Sequence, residues 1–373
     1  MSDVAAPAGQ ARTQQIIFSG NTPAFLGVAI INALLTIVTL GIFRFWAKTR
    51  IRRYLWENTT FDGEPLEYRG RGLELFVGAI LGTLIIFVPV FLISIVAALV
   101  DPNHPAGPVA ILSRLVLFGG LYYLFGVGYY RAERYLISRS SWRGIRGGMT
   151  KGGWSYGGWF ILMMLFQIVT LGFGRPYAQV RLWNMRMNDV MFGSVKAEAN
   201  AEWRPLFVRY ALSFIAAIVI YGVVIGLLVQ DFMALGLMAQ PGAKPDPHVM
   251  LPLLGKIYGM IIVASVAVGL IMLSYHAAYY REILGKTRLG GLAFGFTATT
   301  GSWFKYYLVN VLIVVLTLGL GLMVMPYRAW KFYMTNLLTD GALDIDHLMQ
   351  TDLASPSQGE GLADALGFSV LPF

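Results

Sequence analysis

Seven stretches of this chain are apolar for close to twenty residues or more, running approximately Ala24–Phe43, Leu73–Val100, Val109–Tyr130, Gly157–Gly174, Leu206–Val229, Val249–Tyr280 and Tyr306–Met325. A helix rises about 1.5 Å per residue, so about 20 apolar residues cross a hydrocarbon core about 30 Å thick. Runs of this length cannot be covered in water and demand lipid. The composition agrees: 56% of the 373 residues are hydrophobic, only 13% are charged, and the mean hydropathy is +0.61. A soluble domain carries about 25% charged residues. None of the seven stretches alternates with period two, as the strands of an outer-membrane barrel would. The expected class is therefore an all-α polytopic membrane protein, a helical bundle.

The net charge of +9 does not point to nucleic acid, because the basic residues cluster beside the apolar stretches. That is the pattern that orients a chain in a membrane, and it makes the bilayer and its anionic phospholipid headgroups the expected partners. No nucleic-acid partner is expected. Met1–Asn21 is polar, has Arg12 as its one basic residue and does not read as a cleavable signal. The chain has no cysteine, which excludes disulfides, thiolate metal sites and thiol nucleophiles.

One motif recurs. Thr39-Leu40-Gly41, Thr170-Leu171-Gly172 and Thr317-Leu318-Gly319 each close an apolar stretch, and each is followed by an aromatic and basic arm with helical character. Tyr129-Tyr130-Arg131 and Tyr279-Tyr280-Arg281 form a second recurrent signature, each followed by a Gly-rich stretch and a Trp. These features divide the chain into a partial N-terminal copy (1–72), two full repeat units (73–204 and 205–349) and a disordered tail (350–373). The Thr-Leu-Gly endings, the arm with Arg50, Arg52 and Arg53, and the stretch from Phe61-Asp62-Gly63 to Tyr68-Arg69-Gly70 resemble the YjgN-like family of bacterial inner-membrane proteins. The resemblance covers about Ile16 to Gly341. It implies a multi-pass inner-membrane location and supplies no activity and no catalytic residue.

Charge also orders the loops. Asp101–Pro108 has no Lys or Arg and Gln230–His248 has only Lys244, so both read as external, whereas the remaining connections are basic and read as cytoplasmic. Seven crossings would then place basic clusters on both sides. Four full spans with three re-entrant or bent Thr-Leu-Gly segments leave only Arg114, Lys244 and Lys256 outside or at the outer edge. The favoured arrangement is the second, with seven full spans as the alternative.

Two groups of residues are candidates for function. Asn32, Gln167, His276 and Asn310 lie in apolar stretches, where polar groups either bond across helices or line a pathway. Arg44, Trp46, Lys48, Arg50, Arg52, Arg53, Arg175, Tyr177, Arg181, Tyr327, Arg328 and Lys331 lie on the arms, where they suit an interface rich in anionic lipid. Glu133 and Glu282 stand beside Arg131, Arg134 and Arg281, so local ion pairs account for them. Gly78 with Gly82, and Gly222 with Gly226, match a small-residue packing pattern that serves contacts within the chain or between copies in a homo-oligomer. No metal set, cofactor motif or catalytic constellation is present, so the chain does not read as an enzyme. The first functional reading is a small-solute transporter or channel, in which the four buried polar residues share one water-filled cavity. The second is a non-transporting protein that organises lipids or partners, with a dry core and polar residues paired with one another.

Overall fold

The computed structural model describes residues 16–100, 107–234, 247–344 and 349–350. The external-loop readings at 101–106 and 235–246, and the tail beyond Gln350, lie outside them. The described residues begin with strand β1 (Ile16–Phe18), then helices α1 (Thr22–Val38) and α2 (Arg44–Glu57). A hairpin of β2 (Thr59–Phe61) and β3 (Glu64–Tyr68) leads to two long helices, α3 (Gly72–Val100) and α4 (Pro108–Ser138). The same alternation continues with β4 (Ser140–Trp142), β5 (Ile145–Met149), α5 (Trp154–Val169), α6 (Arg175–Met187), β6 (Val190–Phe192) and β7 (Val195–Ala199). Then come α7 (Arg204–Ala234), α8 (Pro247–Gly285), β8 (Thr287–Leu289), β9 (Leu292–Phe296) and α9 (Thr300–Leu316). A 3-10 turn (Leu320–Val324), α10 (Met325–Asn336) and β10 (Leu337–Asp340) close the series.

The protein is thus not an all-α bundle. Ten strands pair in chain order, each antiparallel to the next, in one sheet that runs through all three units expected from the sequence. The Gly-rich stretches that follow the two Tyr-Tyr-Arg signatures contain strands β5 and β9. Gly147 of β5 lies so close to Ile137 of α4 that a Cβ would meet the Ile137 carbonyl oxygen, so glycine is what lets this strand pass. The strands were hidden by their length of three to five residues, too short for a hydropathy pattern to register. The turns were the available signal. Asp62-Gly63, Arg143-Gly144, Gly193-Ser194 and Gly290-Gly291 are two-residue connections between paired strands. Asp62, Gly63, Arg143 and Gly144 all have positive φ, the geometry that matches strand twist in tight hairpins.

The sheet curls into a nearly closed ring. Trp142 of β4 and Leu292 of β9 are five strands apart in the ladder order yet join one buried cluster with Phe61, against Phe192, Phe294, Leu66 and Ile16. Only a curled sheet brings those strands together. β1 and β10 lie against each other, and among the described residues no ladder joins them. Side chains bind the seam instead. Trp330 Nε1 donates to Thr59 Oγ1 at 2.9 Å, the Trp56 and Trp330 rings stack at 4.4 Å, and the Tyr327 hydroxyl donates to Gly20 O at 2.8 Å. Trp142 is 1% exposed and its indole N–H donates to Phe61 O. Truncating Trp142 to alanine is expected to cost about 3–5 kcal/mol, the range for an aromatic removed from a packed core, read as a lowered unfolding midpoint in detergent. A change near zero would show that this cluster is not the ring's core.

Antiparallel neighbours joined by a helix pair begin and end at the same edge of the sheet. All five helix pairs therefore rise from one edge of the ring, and the four tight turns occupy the other. The pairs differ in reach. α3, α4, α7 and α8 are long and apolar enough to cross a membrane, whereas the apolar helices α1, α5 and α9 have 17, 16 and 17 residues. The latter hand the chain straight back to the ring through α2, α6 and α10.

Candidate functional site

The three short pairs share one turn, built by Thr-Leu-Gly. Each threonine hydroxyl donates to the carbonyl four residues back: Thr39 to Leu35 at 2.7 Å, Thr170 to Phe166 at 2.7 Å and Thr317 to Ile313 at 2.6 Å. The same oxygen accepts from the N–H four residues on, from Phe43, Gly174 and Gly321. Each glycine, at φ near +90°, donates its N–H to the carbonyl five residues back, at 2.7 Å in all three turns. Leu40, Leu171 and Leu318 donate to Ile37, Ile168 and Val315. The N–H of each residue across these turns is therefore paired internally, which is what lipid requires of a backbone.

The leucine makes the environment explicit. Leu40, Leu171 and Leu318 have φ of 51°, 48° and 50°, and are 94%, 80% and 93% exposed. The left-handed conformation costs a residue with a Cβ roughly 1–2 kcal/mol, and exposing leucine to water adds to it. Glycine or asparagine would suit an aqueous turn better. A leucine held there three times over belongs against hydrocarbon.

Neighbouring helices set the depth. The Tyr210 hydroxyl of α7 donates to Gly172 O at 3.0 Å, and beyond Phe214, which packs on the same glycine, α7 runs on to Ala234, about 20 residues or about 30 Å. Phe45, five residues past the first tip, packs on Phe76 near the start of α3. Tyr307 of α9 meets His276 near the ring end of α8. In α1 the first apolar side chain more than half exposed is Ile31 and in α9 it is Val311, so each tip lies about 10–14 Å beyond, a reach within one leaflet. Arg44 and Arg175 are exposed four residues past their tips and limit the depth, since guanidiniums on flexible stems must reach headgroups.

Below each tip one arginine is held by its own hairpin. Arg50 Nη1 donates to Asn32 Oδ1 at 3.4 Å, and Arg328 Nε donates to Asn310 Oδ1 at 2.5 Å. Arg181, in the corresponding place of the middle pair, lies 5.0 Å over Trp159. Arg50 and Arg53 also line a 280 Å³ cavity with Val28, Ile31, Tyr54 and Glu57. Arg44 lies over Phe45 at 4.8 Å, Trp46 packs on Phe76, and Lys48 is half-buried. Tyr177 packs on Phe166 and Trp203, and Lys331 lies 5.9 Å from the Tyr327 ring. Arg52 and Tyr327 are buried, Arg52 bonding the Tyr68 hydroxyl at 3.2 Å, so both act inside the fold rather than at a surface. The polar residues of the apolar stretches are bonded close by. Asn32 donates to Ala47 O, Gln167 donates to Met163 O on its own helix, and His276 pairs with the Tyr307 hydroxyl at 3.4 Å amid Tyr280 and Trp303.

One charged centre escaped sequence reasoning. Glu133 of α4 pairs with Arg186 of α6 at 2.6 Å, both buried, and the guanidinium lies over Tyr129 at 4.5 Å, Trp183 at 5.6 Å and Tyr156 at 5.9 Å. Burial opposes the charge, but the Glu133 carboxylate outweighs it and holds the Arg186 guanidinium well above its ordinary pKa. Glu133 is thus not paired with its helix neighbours, and Glu282 accepts from the Glu202 N–H at 3.0 Å. Nearby, Asp189 accepts from the Tyr130 hydroxyl at 3.1 Å and pairs with Lys151 at 2.8 Å. Among the described residues no cluster of His, Asp or Glu could hold a metal.

Residues 13–365 match the family described as bacterial protein of unknown function, DUF898. The chain belongs to that family. It is similar to inner membrane protein YjgN of Salmonella typhimurium, 34% identical over 91 residues, which is 24% of this chain and 21% of that protein. YjgN of Escherichia coli K12 is 32% identical over 68 residues, covering 18% and 17%. YjgN of Escherichia coli O157:H7 is 26% identical over 165 residues, covering 44% and 38%. The alignments thus span between a sixth and two fifths of these relatives' lengths. No solved structure matches the chain. With four helices able to cross a bilayer and relatives named for the inner membrane, the chain is a multi-pass inner-membrane protein.

Proposed function

We propose that this member of the DUF898 family is a non-transporting, non-enzymatic protein that organises the anionic lipid layer on the cytoplasmic face. The carrying observation is the three exposed, left-handed leucines at the tips of the short helix pairs. The basic arms put the ring in the cytoplasm by the positive-inside rule. The three pairs then enter the cytoplasmic leaflet as copies of one unit. Each carries an oriented arginine, Arg50, Arg181 or Arg328, at the level of the lipid phosphates. The alternative, a small-solute transporter, needs Asn32, Gln167, His276 and Asn310 around common water, and the bonds they make within one hairpin or to a packed neighbour favour the lipid reading.

The test is lipid retention. Basic residues near an anionic surface contribute about 1 kcal/mol each. Replacing Arg50, Arg181 and Arg328 by glutamine should therefore lower the retained ratio of anionic to zwitterionic phospholipid after purification, by on the order of 100-fold at low salt. An unchanged ratio would sink the headgroup role. Protein-dependent release of a solute from loaded vesicles would favour transport instead.

A further inference from the structure

The lipid reading leaves open what three leaflet-deep hairpins do to the bilayer around them. The leaflet next to the ring accommodates four spanning helices together with three helix pairs. The far leaflet accommodates, among the described residues, only α3, α4, α7 and α8. A helix with its side chains is about 10 Å across. The difference is therefore several helix cross-sections in one leaflet, against lipids of similar width in both. The hairpins cannot withdraw to even out the two sides, because each is tied to the ring at both ends by paired strands. They also pack on the spanning helices, through Phe45 on Phe76, Tyr210 on Gly172 and Tyr307 on His276.

We infer that the protein is a curvature-coupled wedge, wide in the leaflet beside the β-ring and narrow in the opposite one, which prefers and promotes membrane that is convex on the ring side. The inference rests on the lipid reading and adds to it a mechanical activity with a fixed sign. The occupant of the exposed tips is a lipid leaflet, since the tip N–H groups are paired within the turn and leucine is retained at positive φ. The wedge faces are Ile30 to Ile42, Leu162 to Leu171 and Leu308 to Leu322, which carry large exposed apolar side chains.

The experiment uses the full chain, which has no cysteine of its own. A single dye is placed at Thr339→Cys on β10 of the ring, and the protein is reconstituted into vesicles of phosphatidylglycerol and phosphatidylethanolamine spanning small to large diameters. Single-vesicle fluorescence with an impermeant quencher then gives the fraction of molecules with the ring outward at each diameter. The expected result is a ring-outward fraction that rises several-fold from the flattest vesicles to the most curved. Substituting glycine at Leu40, Leu171 and Leu318 keeps the left-handed turn while removing the apolar tip, and should flatten that dependence. A wild-type orientation independent of diameter overturns the wedge. A nitroxide at Leu40→Cys separates the two levels: tips in hydrocarbon without diameter dependence refute the wedge alone, and tips in water refute the lipid reading as well.

Discussion

Replacing Glu133 by glutamine while leaving Arg186 in place is expected to destabilise the protein by about 3–5 kcal/mol, the cost of leaving one partner of a buried ion pair uncompensated. Both side chains are about nine-tenths buried, so solvent offers the orphaned guanidinium little relief. The pair joins the spanning helix α4 to α6, the returning helix of the α5 pair, and Tyr129, Trp183 and Tyr156 surround it with ring faces. The measurement is the unfolding midpoint of the purified protein in mild detergent. The double variant Glu133→Leu with Arg186→Met should recover most of the loss, because two apolar side chains of similar size need no charge compensation. A double variant as unstable as the single one would mean that the charges do more than hold the helices together.

Placing aspartate at Leu40, Leu171 and Leu318 is the second change of large expected effect. A charged side chain in the hydrocarbon costs about 2.5–3.5 kcal/mol on insertion scales. The three tips are exposed and contribute little to the packed core, so the ring and spanning helices should survive. The expected outcome is a folded protein whose hairpins lift toward the headgroups, seen as increased protection-free labelling of a cysteine placed at Ile42. Unchanged labelling would place the wild-type tips in water already.

The sequence reading reached the membrane because spanning helices are local objects: α3, α4, α7 and α8 carry their signal in consecutive residues. It also separated the three Thr-Leu-Gly segments from the long ones, since basic residues flank them on both sides. It missed the ring because a ring is not local. The ladder between β3 and β4 pairs Leu66 with Trp142 across two spanning helices, and each strand is too short to announce itself. Asp62-Gly63 carries part of the family resemblance, and a two-residue Asp-Gly between β-prone residues is also a hairpin signal on its own. The Glu133 and Arg186 pair was out of reach for the same reason, as its members are 53 positions apart and arginines stand nearer to Glu133 in the chain. The arms were legible as basic and aromatic. Their division into exposed Arg44, Arg50 and Arg53 and buried Arg52 needed the helix pair to exist.

The tip depth tests the account most directly. A nitroxide attached to Leu40→Cys, in the otherwise cysteine-free chain reconstituted in bilayers, reports its collision rates with oxygen in lipid and with a water-soluble nickel chelate. The account expects an oxygen-rich, nickel-poor environment, about 10–15 Å below the ring-side phosphates, within one leaflet. A nickel-accessible label on the ring side would place the hairpin in water, and a label near the far headgroups would make the segment a full crossing. Either result would contradict the account.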